Sequence, residues 1–196
     1  MQTIKKIFSW IFPIVLGVGI ALVILNFFEL AKVDGPSMEP NLQNNERVFL
    51  CKKSKIHHNS VIIFDAYGED PNATTHIDYV KRVIGMPGDT VSSKNGIIYV
   101  NGHKINQDYI DNFQRNKGTG NWDLVKLSHE HDWSGSVRVP AGHYFVLGDH
   151  RSVSNDSRYW GFVKKSKVLG VVKVPFWSGS KQSRYNINDA YKYWKN

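Results

Sequence analysis

Cysteine is almost missing: Cys51 is the only one in 196 residues. A single thiol can form no disulfide within the chain and no multi-cysteine metal site. Its place in the strand-like run Val48-Phe49-Leu50-Cys51 reads as a buried structural thiol rather than a nucleophile. No internal repeat and no low-complexity tract is present. With 41% apolar, 21% charged and 13% aromatic residues, the chain is too hydrophobic to be disordered. Serine chemistry also lacks its usual marks: Ser37, in Val33-Asp34-Gly35-Pro36-Ser37-Met38-Glu39-Pro40-Asn41-Leu42, has no neighbouring histidine and no Gly-x-Ser-x-Gly turn around it.

The length suits one medium domain, or one with a small insertion. The formal charge of +8 is spread out, with only short basic clusters such as Lys52-Lys53 and Lys164-Lys165. Such a charge favours anionic lipid headgroups or nucleic acid. Residues 7–28 decide for the membrane and against nucleic acid, being 22 residues without a charge. At ~1.5 Å per residue they span about 33 Å, enough for a hydrocarbon core of ~30 Å. Lys5 and Lys6 precede the run, while Glu29, Lys32 and Asp34 after it give no positive excess. The positive-inside rule therefore places the N-terminus in the cytoplasm and everything after Glu29 outside the cell, in a single-pass cell-membrane protein. A removable leader is the rival reading, but its apolar core would be only ~7 to 15 residues long, and Phe27-Phe28-Glu29-Leu30 lacks small cleavage-site residues. Residues 1–29 thus read as cytoplasmic N-terminus plus anchor, and 30–196 as the domain outside. Gly17-Val18-Gly19 lacks the four-residue spacing of a helix-pairing motif, so a monomer is expected.

After the anchor, short apolar or alternating runs separated by Gly, Pro, Asn and Asp predict a mainly β domain with an antiparallel sheet core. Strands are expected at 47–51, 61–64, 77–84, 97–100, 103–105, 137–139, 144–147 and 168–174. Asn101-Gly102 between two alternating segments is a strong hairpin signal. Between about 106 and 136 the pattern lapses into a polar stretch dotted with aromatics, read as a small inserted subdomain. The terminal Asp189-Ala190-Tyr191-Lys192-Tyr193-Trp194-Lys195-Asn196 reads as a short helix or a loose tail.

The two-residue period of 77–84 puts Tyr79, Lys81 and Val83 on one face and Val80, Arg82 and Ile84 on the other. If the first face packs inward, the Lys81 ammonium is desolvated and its pKa falls. The alternative is that Lys81-Arg82 is a solvated edge that discourages aggregation. Three boxes now stand in order behind an anchor: Gly35-Pro36-Ser37-Met38-Glu39-Pro40; Tyr79-Val80-Lys81-Arg82-Val83-Ile84-Gly85-Met86-Pro87-Gly88-Asp89; and Gly148-Asp149-His150-Arg151 followed by Ser154-Asn155-Asp156-Ser157-Arg158. In these the chain resembles the bacterial type I signal peptidases, the membrane-anchored Ser/Lys proteases that remove signal peptides from exported proteins, and specifically their Gram-positive form. The resemblance implies Ser37 as nucleophile and Lys81 as general base, with Ser154 bonding and orienting the lysine. It implies a bracing charge pair of Asp156 and Arg158, with Asp149 in the same supporting network. The chemistry is sensible, because a free lysine of pKa ~10.4 is less than ~1% neutral at pH 8 and needs its pKa depressed to act as a base. No cofactor is implied. Five of the eight histidines, His57, His58, His129, His131 and His150, invite a metal reading. No acidic or thiol partner stands at a diagnostic spacing, so no metal is expected.

Two positions depart from common family patterns. Asn41 stands where threonine is usual, and Gly35 has no hydroxyl where some relatives carry a serine that helps hold the oxyanion. The oxyanion would then rely mainly on backbone N–H groups, that of Ser37 among them, and Gly35 would let the backbone approach the substrate. By resemblance the substrate is an extended signal-peptide segment lying beside the Lys81 strand, with shallow apolar pockets lined by Val33, Met38, Leu42, Tyr79 and Val80, residues that could equally be plain core. Three rivals remain. A silent homologue that binds exported chains would have lost Ser37 or Lys81, and a self-cleaving repressor with the same Ser/Lys core would carry a DNA-binding head. A metal-dependent surface protein would rest on the histidines alone.

Overall fold

The structure, a computed structural model, describes residues 2–133 and 135–195. The apolar run forms α1 (Gln2–Phe27), of which Trp10–Phe27 is long and apolar enough to cross a membrane and contains no residue buried within the protein. There is no linker after it. The chain passes directly from the helix end at Phe27 into β1 (Phe28–Lys32). The join is tied by the next hairpin strand. Lys52 N–H donates to Phe27 O at 2.9 Å, and the Lys52 ammonium lies 2.9 Å from the Glu29 carboxylate. The lysine thereby also meets the negative end of the helix dipole.

The remaining strands are β2 (Arg47–Cys51), β3 (Val61–Asp65), β4 (Asp78–Gly85), β5 (Val91–Lys94), β6 (Ile97–Val100), β7 (His103–Lys104), β8 (Trp122–Asp123), β9 (His143–Leu147), β10 (Val163–Lys164) and β11 (Val168–Lys173). They form a seven-stranded sheet, β1-β2-β11-β3-β4-β9-β10, and a four-stranded sheet, β7-β6-β5-β8. Every pairing is antiparallel, as expected of a mainly β domain. Three short α-helices complete it: α2 (Leu124–His131), α3 (Ser157–Trp160) and α4 (Lys181–Asn188). The final segment, Ala190–Lys195, is a 3-10 helix rather than a loose tail.

Four strands escape the sequence reading, β1, β5, β8 and β10, and one expected at 137–139 is absent. Val91-Ser92-Ser93-Lys94 carries one apolar residue, and two-residue strands show no period at all. Val139 is buried all the same, held by Val139 N–H to Asp89 O and Gly88 N–H to Val139 O, both 2.8 Å, without forming a strand. The segment 106–136 carries a π-helical turn at Gln114–Gly118, then β8 and α2. Because β8 pairs with β5, this segment and the β5–β7 ribbon are one small sheet, broader than the insertion expected.

Strand β4 lies at the centre of the packing. It gives Ile84 to a cluster with Phe145 and the small sheet, Val80 to one with Val33, Met38, Leu42 and Ile187, and Tyr79 and Val83 to one with Ile62, Phe64 and Trp160. Two Asn-Gly turns flank β6, Asn95-Gly96 and Asn101-Gly102, with φ of 51 and 76°, then 53 and 79°. Both residues of each pair are left-handed, as two-residue hairpins of this twist require. A Cβ on Gly96 would lie 2.0 Å from Arg115 O. Gly96→Ala therefore combines positive φ with a backbone clash, and should lower stability by well over ~1 kcal/mol in thermal or denaturant unfolding.

Candidate active site

Ser37 sits on a short turn held by its own backbone. Glu39 N–H donates to Pro36 O, and Asn41 and Leu42 N–H both donate to Met38 O, each at 3.0 Å. Met38 and Leu42 are 0% exposed and fasten the turn to the core, leaving Ser37 half-exposed. Gly35 has φ of 83°, and a Cβ there would meet nothing within 4 Å. Its backbone angle, not crowding, selects glycine.

Strand β4 brings Lys81 to this turn, with Nζ 3.0 Å from Ser37 Oγ. The solvated-edge alternative does not hold. β4 lies between β3 and β9, Lys81 is 4% exposed and Arg82 0%. Burial pulls the Lys81 pKa from 10.5 to about 8, against the opposing pull of Asp156, Asp70 and Asp149. At that value about half the amine is neutral at pH 8. A charged Lys81 donates to Ser37 Oγ; a neutral one can accept the hydroxyl proton, and this makes serine nucleophilic without histidine.

Two buried guanidinium–carboxylate forks surround the pair. Arg82 grips Asp149 with Nε to Oδ1 at 2.7 Å and Nη2 to Oδ2 at 2.6 Å, while Nη1 donates to Asn59 O and Asn186 O, both 2.9 Å. Arg158 grips Asp156 with Nε to Oδ1 at 2.8 Å and Nη2 to Oδ2 at 3.0 Å. Burial alone would raise the Asp156 pKa, but Arg158 outweighs it and holds the carboxyl below its ordinary value. Asp156 also accepts from Gly148 N–H at 2.9 Å. A Cβ on Gly148 would lie 2.1 Å from Ser154 Oγ and 2.6 Å from Ser37 O, so this turn passes the serine closely enough to demand glycine. Ser154 is 2% exposed and its Oγ has no hydrogen-bond partner, so the bond to Lys81 that the resemblance implies is not formed in this structure.

Several site residues were not singled out from the sequence. Arg82 is one; its apolar neighbours Val80, Val83 and Ile84 occupy both faces of β4, a pattern that marks a strand buried on both sides, where a charge must be paired. Arg151, 1% exposed, donates to Gly148 O, Gln107 Oε1, Thr119 Oγ1 and Tyr109 OH. Asp70, 1% exposed, accepts from Tyr79 OH at 2.9 Å and Asn155 Nδ2 at 2.6 Å, and the Tyr79 ring lies 5.1 Å from Lys81 Nζ. Of the expected pocket residues, Gly35, Tyr79 and Val80 keep some exposure, whereas Val33, Met38 and Leu42 are 2%, 0% and 0% exposed and lie in the core. Asn41 is also buried, bonded to Asp149. Among the described residues no group of three or more His, Cys, Asp or Glu is placed to hold a metal ion. His58 pairs with Asp89 at 2.7 Å, and His150 Nδ1 lies 3.2 Å from Pro36 O.

A serine hydroxyl beside a buried lysine of lowered pKa, on an antiparallel β scaffold, is an arrangement suited to Ser/Lys hydrolase chemistry. The family described as signal peptidase, peptidase S26, matches residues 4–177. Signal peptidase IB of Staphylococcus aureus (strain MRSA252) is 35% identical over 94% of this chain and 96% of its own. Signal peptidase I of Bacillus licheniformis is 37% identical over 88% of this chain and 89% of its own. Among solved structures, a signal peptidase I from Enterococcus faecalis V583 is 37% identical, with a TM-score of 0.51 over 60% of this chain and 97% of that one. The chain belongs to the signal peptidase family, peptidase S26.

A lysine whose folded pKa lies below its unfolded one binds fewer protons when folded between about 8 and 10.5, so stability rises with pH across that window and is lowest below it. Lys81→Met should therefore raise the thermal midpoint at pH 7, by an equivalent of on the order of 3 kcal/mol at most. The gain should shrink as pH rises through that window; a variant less stable than wild type at pH 7 contradicts the burial cost.

Proposed function

We propose that this protein is a membrane-bound serine endopeptidase that removes N-terminal signal peptides from exported preproteins at the outer face of the cytoplasmic membrane. The observation that carries this reading is the 3.0 Å approach of Ser37 Oγ to a buried Lys81 amine, in a chain of this family behind an apolar helix. Neutral Lys81 takes the Ser37 proton as Oγ attacks the scissile carbonyl carbon. The oxyanion of the tetrahedral adduct faces backbone N–H groups, that of Ser37 first. The Lys81 ammonium then gives its proton to the leaving amine as the C–N bond breaks, leaving an acyl-enzyme. Water attacks the ester, Lys81 takes its proton and returns it to Ser37 Oγ, and the signal peptide leaves with a new carboxylate. Ser154 is assigned to orient the lysine, and Asp149, Asp156 and Arg158 to brace the site.

The extended substrate has a place to add. β9 pairs with Arg82, Val83 and Gly85 of β4 but not with Asp78–Lys81, which are paired by β3 on the other side only. A segment entering there would be hydrogen-bonded as an added strand. Gly35, Tyr79 and Val80 would meet its small side chains, with Val33, Met38 and Leu42 beneath. The N-terminus is assigned to the cytoplasm and the domain to the outside, acting as a monomer. Ser37 is nine residues after Phe28. Enzyme and substrate are then confined to one layer beside the membrane lipid, which raises effective concentration.

Detergent-solubilised protein incubated with a preprotein should process it, and Ser37→Ala or Lys81→Met should each cost at least about a thousandfold in kcat/KM. Processing that survives either change overturns the mechanism. The wild-type kcat/KM should climb about tenfold per pH unit on the acid side and level off above about 8, the Lys81 value. The charge of Asp70 raises that pKa, so Asp70→Asn should move the acid limb to lower pH. An upward or absent shift would show that Asp70 does not act on the lysine.

A further inference from the structure

Helix α4 lies beyond residue 177, where the family match ends. It is eight residues long, too short to be stable alone, and it is held by the sheet. Ile187 packs in the cluster that contains Met38 and Leu42, the two anchors of the Ser37 turn. Asn188 exchanges two hydrogen bonds with the Val174 backbone, each 2.9 Å. Arg82 Nη1 donates to Asn186 O, as already described. Asn186, 4% exposed, also points its side chain at Asn41, with Nδ2 to Asn41 Oδ1 at 2.8 Å.

The two amides can be oriented only one way. Asn41 Nδ2 faces two acceptors, Asp149 Oδ2 at 2.8 Å and Tyr109 O at 2.6 Å, so its oxygen must face Asn186. Asn186 must therefore donate, and its own oxygen accepts from Gln182 Nε2 at 2.9 Å and Tyr193 OH at 3.1 Å. The result is a directional chain running from α4 to the Asp149–Arg82 fork. Asn41 is the last residue of this chain before the nucleophile turn, four positions after Ser37, with its amide on Met38 O. A threonine hydroxyl at 41 has one proton and could not donate to Asp149 and Tyr109 O together.

We propose that α4 is a brace for the nucleophile turn, and that Asn186 is a positioning residue acting through Asn41 to hold Ser37 Oγ at Lys81 Nζ. This rests on the reading of Ser37 as the nucleophile. The restraint acts on the height and angle of the hydroxyl, so its loss lowers the chemical step and leaves substrate binding alone.

The test uses full-length Asn41→Ala, Asn186→Ala, the double variant and Ser180→Ala. Ser180 caps α4 by accepting from Ser183 N–H and touches none of the network. Each asparagine variant should lose about tenfold in kcat with KM within about twofold, and the double should be no worse than the worse single. Ser180→Ala should lower the thermal midpoint and leave kcat unchanged. Hydrogen exchange without substrate should show the Glu39, Asn41 and Leu42 amides losing protection selectively in Asn186→Ala. Should that variant not fold, Gln182→Ala, made at an exposed position, should still loosen the same three amides. Multiplying single effects or unchanged protection of the turn would each overturn the brace, and an equal kcat loss in Ser180→Ala would overturn the assignment of the positioning role to Asn186. A wild type without Ser37-dependent cleavage would instead refute the protease reading, and the exchange result would still decide whether α4 holds the turn.

Discussion

The whole site depends on keeping one amine out of water without leaving it permanently charged. Lys81 is buried on the central strand of the sheet, and burial favours its neutral form. Three carboxylates, Asp156, Asp70 and Asp149, pull the other way. Asp149 and Asp156 are each gripped by both arms of an arginine, Arg82 and Arg158, yet Asp156 still exerts the strongest of the three pulls on the lysine. Asp70 is held by a tyrosine hydroxyl and an amide, neither of which carries a positive charge. Burial outweighs the three carboxylates and leaves the lysine pKa at about 8.

The same arginines hold the fold together. A fork uses Nε and one side of the guanidinium, and the remaining N–H groups must find acceptors when fully buried. For Arg82 these are Asn59 O and Asn186 O; for Arg158 they are Gly118 O and Arg151 O. Segments far apart in sequence therefore converge on two cations. Breaking such a buried pair from one side leaves a charge without compensation, typically 3–5 kcal/mol. Electrostatic tuning of the lysine and mechanical closure of the domain are thus one arrangement, and neither can be altered alone.

What could be read from the sequence follows from which features are local. The membrane helix, the β class and the Asn101-Gly102 hairpin are written in runs and turns, and they appear where expected. Strands β5, β8 and β10 are fixed by their partners rather than by their own pattern, so no local signal existed. Ser37 and Lys81 came from boxes 44 residues apart. Their distance is set by β4 and the turn, which sequence order does not encode. Asn41 stood out in the sequence only as a departure from the family pattern beside the serine. Its importance lies in Asp149 and Asn186, 108 and 145 residues away, contacts visible only once the chain is folded. Val33, Met38 and Leu42 show the converse, because proximity to a nucleophile in sequence does not separate a pocket wall from the core beneath it.

The direct passage of α1 into β1 adds a geometric constraint. A flexible linker would let the domain tumble at the membrane surface and would leave the height of Ser37 undefined. Here the helix end is bonded to Lys52 of β2's far turn, and β1 pairs with β2 along all five of its residues. Five strand residues carry the chain ~17 Å from the helix end at most, and the turn of Ser37 follows at once. The unpaired side of Asp78–Lys81 belongs to the same sheet, so its direction is fixed relative to the helix as well. A substrate anchored by its own apolar helix could then present its extended segment to that edge in only a narrow range of registers. Selection of the scissile bond would arise partly from this shared geometry, before any side-chain pocket is filled.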